Sequence, residues 1–181
     1  MRQEIRISGF GGQGIGLAGF ILGKAIALYA GKEAVMTQSY GPEARGGASS
    51  ANIVLSDREI AYPFVQEPDI LVALSQEAYS KFRDTIKQNA TVIIEEDLVQ
   101  PKSSDKLYKI PATQMAEGLG RRIVTNIVML GYLTAVTKLV DKEAMVQAIQ
   151  SSVPEKTVPL NLEAFEAGYA YSPEEAKVSN G

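Results

Sequence analysis

The sequence contains no cysteine, no histidine and no tryptophan in 181 residues. Without cysteine there is no disulfide, no thiolate nucleophile and no thiolate ligand for zinc or an iron–sulfur cluster. Without histidine there is no imidazole base, no Ser-His-Asp triad and no imidazole metal ligand. Long apolar runs are missing too, and none reaches the roughly 18 residues that would suggest a bilayer span. The opening Met-Arg-Gln-Glu-Ile-Arg-Ile lacks the apolar core of a secretory signal and is too acidic for a transit peptide. A cytoplasmic protein with no membrane contact is therefore expected. An excess of one charge is also absent. With 18 Lys+Arg against 21 Asp+Glu, the formal net charge of −3 leaves no footprint for nucleic acid or an acidic membrane.

What remains is an ordinary globular composition, 45% hydrophobic and 22% charged, enough for one core. Residues 4–8 alternate as a strand does. Ile15, Ala18, Ile21, Leu22, Ala25, Ile26 and Tyr29 recur at helical spacing over 13–30, and Gly31 follows as a C-cap. Strands are predicted at 34–38 and 51–56, the latter turning at Ser56-Asp57-Arg58 to pair back with 59–62 as a β-hairpin. Residues 69–74 are nearly all apolar, as in a strand buried on both faces. Helices follow at 76–88, 112–119, 126–139, 142–150 and 161–171, and strands at 91–95 and 108–110. Pro154 and Pro159 mark a loop between the last two helices. The pattern predicts an α/β fold. It is a single Rossmann-like domain over 1–171 with a mainly parallel sheet, helices on both faces and a β-hairpin, then a flexible tail over 172–181. In such sheets ligands gather beyond the carboxyl ends of the strands, so the loops after residues 8, 38 and 74 should converge.

The first of these loops is Gly9-Phe10-Gly11-Gly12-Gln13-Gly14, a GxGxxG between a strand and a helix. Glycines let backbone approach an anion, and the helix N-terminus contributes about 0.3–1 kcal/mol toward it. A dinucleotide site also needs an acidic residue at the end of the second strand. That strand ends Thr37-Gln38-Ser39, and Glu33 lies at its other end. Three readings stay open: a dinucleotide site, close helix–strand packing alone, or another phosphate-bearing ligand or partner's cofactor. The second loop, 39–50, exceeds the 2–6 residues or so usual for an αβ connection. In it, Arg45 beside Gly46 and Gly47 presents a guanidinium fork suited to phosphate or carboxylate. A local Glu43–Arg45 contact is the alternative.

Together, Gly9-Phe-Gly-Gly-Gln-Gly14 and Gln38-Ser-Tyr-Gly-Pro-Glu-Ala-Arg-Gly-Gly47 resemble the gamma subunit of 2-oxoacid:ferredoxin oxidoreductases. Supporting stretches are Ser56-Asp57, Tyr62-Pro63, Pro68-Asp69, Leu74-Ser75-Gln76-Glu77-Ala78, Asn126 with Gly131, and Asn161 with Ala164-Phe165 and Gly168-Tyr169. The Tyr-Gly-Pro-Glu-Ala-Arg-Gly-Gly form is most like the 2-oxoglutarate type. The resemblance implies a complex that decarboxylates 2-oxoglutarate on thiamine diphosphate with Mg. It passes two electrons through iron–sulfur clusters to ferredoxin and releases succinyl-CoA. It implies that this chain binds none of those cofactors alone, works beside alpha and beta subunits (a delta subunit is left open), and is inactive in isolation. Self-association of the isolated chain also stays open.

Carried onto this sequence, Gly11, Gly12, Gln13 and Gly14 would cradle a phosphate or the thiol arm of coenzyme A. Tyr40, Glu43, Arg45, Gly46 and Gly47 would face the partner subunit and the shared cleft, with Ser75 and Gln76 lining the same edge. No catalytic residue is expected within this chain. Asn126 reads as the cap of its helix, and Arg121-Arg122 as either a steering pair for an anion or a solvated helix end. A stand-alone nucleotide- or acyl-CoA-binding protein of Rossmann-like fold is the competing reading.

Overall fold

The computed structural model describes residues 1–40, 47–102, 106–171 and 175–176. One seven-stranded sheet runs through the molecule. Its strands are β1 (Arg2–Phe10), β2 (Glu33–Ser39), β3 (Ala48–Ser56), β4 (Ile70–Ala73), β5 (Thr91–Glu95), β6 (Lys106–Ile110) and β7 (Glu175–Ala176), in the order β2-β3-β1-β4-β5-β6-β7. β1, β4, β5 and β6 form a parallel block. β3 runs antiparallel between β1 and β2, and β7 runs antiparallel beside β6. The predicted α/β fold is present, with its parallel part in the middle of the sheet and antiparallel pairs at both sides. Of the predicted tail, Glu175 and Ala176 pair with Tyr108 and Leu107, and the rest lies outside the described residues.

The two faces of the sheet follow the alternation of β1. Ile5 and Ile7 point into the larger core, with Ile53, Val72 and Ile93 from neighbouring strands. Over this face lie α1 (Ile15–Lys24), α3 (Ala112–Gly118), α4 (Thr125–Thr137), α5 (Lys142–Gln150) and α6 (Val158–Ala170). The opposite face carries α2 (Gln76–Phe82), which continues as a 3₁₀ turn to Thr85. On that side Tyr79 packs with Val92, Ile94 and Leu107. α4 is buried from Thr125 to Thr134, as its all-round apolar sequence requires. Among the described residues no helix is long and apolar enough to cross a membrane.

Three local expectations need correction. The hairpin of 51–56 with 59–62 does not form. β3 already has β1 on one edge and β2 on the other, so no edge is left for a third strand. Residues 57–69 are instead tied to the polar face of β1. Glu4 accepts hydrogen bonds from the backbone N–H of Gln66 (2.9 Å) and Glu67 (3.2 Å), while Arg2 and Arg6 donate to the carbonyls of Tyr62 and Val65. The hairpin that exists is β2–β3, so the glycine-rich second loop is a ββ connection of residues 40–47. Finally, Pro159 lies in the first turn of α6, where the missing N–H costs no helical hydrogen bond.

The helix after the glycine loop also departs from a uniform pattern. α1 widens into a π turn over Ala25–Tyr29, where Ala30 N–H bonds the Ala25 carbonyl. It stops at Gly31, whose φ of +65° is the predicted left-handed cap.

Candidate functional site

The carboxyl ends of β1, β2 and β4 meet at one edge, as their order requires. Phe10 is opposite Ala48, Ser39 is opposite Ser50, and Leu74 N–H bonds the Ser8 carbonyl at 2.9 Å. Gly11–Gln13 make one 3₁₀ turn, and Gly14, with φ +67°, redirects the chain into α1. Two side-chain amides fix this path. Gln13 Oε1 accepts from Phe10 N–H (2.7 Å), while Gln13 Nε2 donates to the Leu74 carbonyl (2.9 Å). Asn126 Nδ2 donates to the Gly14 carbonyl at 3.0 Å. Asn126 is thus a strut between α4 and the glycine loop. The helix-cap reading is corrected, because a 3₁₀ turn over Arg122–Val124 leads directly into α4.

The four loop positions differ in what they ask of the chain. A Cβ on Gly14 would stand 2.4 Å from Asn126 Nδ2, in a backbone conformation that side chains disfavour. A Cβ on Gly11 or Gly12 would meet nothing within 4 Å. Packing among the described residues therefore does not require glycine at 11 and 12. Both border a cavity of about 470 Å³ between the glycine loop, the start of α4 and the start of α6. Leu17, Ile123, Val124, Val153 and Leu160 make its walls largely apolar. Arg121 is the only charged residue in the lining among the described residues. The amides of Asn126 and Asn161 also line it, but each donates to a backbone carbonyl, of Gly14 and Thr157 respectively. Arg122 instead lies 3.8 Å from Glu117.

The other candidate residues sort as follows. Tyr40 is exposed, and its hydroxyl donates to Gln38 Oε1 at 2.5 Å. The Gln38 amide in turn lies over Gly16 in the first turn of α1, which ties the second loop to the first. Gly47 is half-buried just before β3. Glu43, Arg45 and Gly46 lie outside the described residues. Ser75 is buried at the same edge, but its hydroxyl caps α2 by accepting from Ala78 N–H at 3.2 Å. Gln76 turns away from the glycine loop. Its Oε1 accepts from Gln100 N–H at 2.6 Å and its Nε2 donates to Ser80.

Sequence reasoning missed the far wall of the cavity. Val153, Pro154, Thr157 and Leu160 come from a helix junction some 140 residues along the chain from the glycine loop. Nothing local in the glycine motif points there; the Asn126 and Asn161 signals were present without a geometry to join them. The arrangement offers open backbone, one cation and an apolar groove. Among the described residues no three His, Cys, Asp or Glu side chains come together as metal ligands. A site of this kind can hold and orient an elongated, partly apolar molecule with an anionic group. Among the described residues its lining holds no carboxylate, imidazole or thiol.

Residues 4–171 match the family model described as pyruvate ferredoxin/flavodoxin oxidoreductase. The chain is 56% identical to the 2-oxoglutarate synthase subunit KorC of Methanocaldococcus jannaschii, over 96% of each protein. It is 32% identical to the ketoisovalerate oxidoreductase subunit VorA of Methanothermobacter thermautotrophicus, over 94% of this chain but only 36% of that one. Among solved structures it is similar to the keto/oxoacid ferredoxin oxidoreductase gamma subunit from Geobacter sulfurreducens. There the TM-score is 0.83 at 43% identity, over 92% of this chain and 96% of that one.

Proposed function

Because the chain belongs to the pyruvate ferredoxin/flavodoxin oxidoreductase family, and within it to the gamma-type chains, we propose that it forms the coenzyme A end of a shared active site. The enzyme is a 2-oxoglutarate:ferredoxin oxidoreductase in the cytoplasm. Its 2-oxoacid is decarboxylated oxidatively, the acyl group leaves as succinyl-CoA, and two electrons pass to ferredoxin. Thiamine diphosphate, Mg and the iron–sulfur clusters reside on the alpha and beta subunits, or on a delta subunit where one is present. This chain has no cysteine or histidine with which to ligate a cluster.

The observation that carries the reading is the pairing of Gly11 and Gly12, which nothing in the packing of the described residues requires, with the apolar cavity they border. The backbone at Gly11 and Gly12 can approach a ligand closely, as no side chain could. Arg121 supplies charge for a phosphate, and Leu17, Ile123 and Leu160 exclude water from the arm that carries the thiol. Gln13 and Asn126 hold the loop in place before the ligand arrives, which lowers the cost of binding. Tyr40 and Gly47 face the partner across the cleft. A dinucleotide is disfavoured because β2 ends at Ser39 without the acid that would hold a ribose.

The test is anaerobic purification of the tagged chain from its host, followed by viologen reduction with coenzyme A and a panel of 2-oxoacids. Co-purifying thiamine- and iron–sulfur-bearing subunits with coenzyme A-dependent turnover of 2-oxoglutarate is the expected result. A lone chain without such activity overturns the reading.

A further inference from the structure

We infer that the outer face of α1, running from Leu17 to Leu28 beside the free edge of β2, is where the catalytic partner subunit docks. This rests on the subunit role proposed above and adds the surface through which that role is exercised.

α1 is apolar on both sides. Its inner side, with Ile15, Ala18, Ile21 and Leu22, is buried against the sheet and neighbouring helices. Its outer side leaves Phe20 52% exposed, and Leu28 in the following π turn is 67% exposed. Between them and Met36 of β2 lies a second, largely apolar depression of about 300 Å³. Scattered single apolar residues on a surface need no explanation, but Leu17, Phe20, Ala27 and Leu28 gather on one side of the helix around a single charged residue, Lys24, whose Nζ lies 5.8 Å from the centre of the Phe20 ring, and such a cluster marks an interaction site. β2 next to it is an edge strand of seven residues that contains no proline or lysine. A free edge without such residues is open to pairing by another chain.

The cluster also leads into the candidate site. Leu17 stands one turn from Phe20 and forms part of the wall of the glycine-loop cavity, whose rim carries Ile123 at 77% exposure. That cavity lacks a base, a nucleophile and a metal-ligating cluster among the described residues. The protein that covers the apolar cluster and the cavity rim is thereby placed to supply the reacting groups. The occupant is a different subunit rather than a second copy. In the ketoisovalerate oxidoreductase relative, the counterpart of this chain is about a third of one long polypeptide. There a covalent tether supplies the millimolar effective concentration that a separate chain must replace with an adhesive surface.

The experiment uses the tagged chain produced together with its complex. Phe20→Glu and Leu28→Glu are compared with Phe64→Glu, an exposed control on the loop over the opposite face. Folding of each isolated variant is checked by circular dichroism and thermal melting, which exposed substitutions should leave near wild type. The expected result is at least about a tenfold loss of co-purified partner for the α1-face variants, the scale of removing one interface anchor, with the control unchanged. Full assembly by both folded α1-face variants overturns this inference alone. An isolated wild-type dimer that Phe20→Glu disperses, while the complex still assembles, assigns the face to a second copy and overturns it as well. If wild-type chain captures no thiamine- or iron–sulfur-bearing subunit, the proposed function falls, and this inference with it.

Discussion

Gly131 of α4 and Gly168 of α6 are the points at which these two helices touch backbone to backbone. A methyl group on Gly131 would lie 2.1 Å from the Phe165 carbonyl oxygen, and one on Gly168 would lie 1.9 Å from the Val128 carbonyl oxygen. Neither neighbour is a flexible side chain, so relief requires the helices to separate. Alanine at either position gains up to about 1 kcal/mol of helix propensity. Overpacking against rigid backbone outweighs it, costing about 3 kcal/mol or more. With the net cost of about 2 kcal/mol, Gly131→Ala or Gly168→Ala should lower the melting temperature by roughly 4–8 °C. A melting temperature within about 2 °C of wild type would show that the crossing tolerates a wider spacing.

How far the sequence reveals this molecule depends on the range of the interaction. The strand at 91–95 and the helix at 142–150 coincide with the observed elements, because alternation and helical periodicity are local signals. The convergence of the loops after β1, β2 and β4 was readable from strand ends alone. The 59–62 strand failed because a period-2 pattern carries no information about whether β3 has a free edge. Asn126 looked like a cap because its type suits caps. Its use as a strut to Gly14 depends on α4 lying beside a loop more than 100 residues earlier. The cavity's far wall from α6 is of the same long-range kind.

Glu4 takes the place of the missing strand pairing. Its carboxylate accepts from the N–H groups of Gln66 and Glu67 and pairs with Arg2 at 2.9 Å, fastening residues 57–69 to β1. Glu4→Ala leaves both amides without that acceptor, a loss of about 1.5–3 kcal/mol for hydrogen bonds to a charged group. Hydrogen exchange at Gln66 and Glu67 should accelerate well beyond that in β4. Unchanged protection there would mean that the loop is held by other contacts.

Tyr132 is fully buried on α4, and among the described residues its hydroxyl has no hydrogen-bond partner. Burial pushes this phenol well above its ordinary value, and nearby Tyr171, Tyr108 and Glu96 push it the same way. The Lys109 backbone opposes the rise without reaching hydrogen-bonding geometry. The folded state therefore holds this proton more tightly than the unfolded state. The resulting stability is present below the unfolded value near 10 and is lost as pH climbs above it. Tyr132→Phe removes an unpaired buried oxygen, so it should leave stability at pH 7 unchanged or raise it by up to about 1 kcal/mol. The variant should also lose less stability than wild type between pH 9 and pH 11. Denaturant melts across that range decide it, and a variant clearly less stable at pH 7 would reveal a partner for the hydroxyl.

The glycine loop separates folding from function within four residues. Gly14→Ala forces a side chain into a left-handed backbone and against Asn126, for a cost of about 1–2 kcal/mol that isolated-chain melts will register. Among the described residues Gly11→Ala and Gly12→Ala meet open space, so the isolated chain should melt within about 0.5 kcal/mol of wild type. If the cavity holds the coenzyme A arm as proposed, the same two substitutions take up its space in the assembled enzyme. The KM for coenzyme A should rise at least about tenfold, equivalent to roughly 1.4 kcal/mol of lost binding, while the KM for the 2-oxoacid stays near wild type. An equal rise for both substrates would place the loop at the shared reaction centre. No rise for either would mean that glycine at 11 and 12 serves the partner's backbone instead. Arg121→Ala supplies the electrostatic counterpart. If this side chain meets a phosphate, its removal raises the coenzyme A KM most at low ionic strength, where screening is weakest.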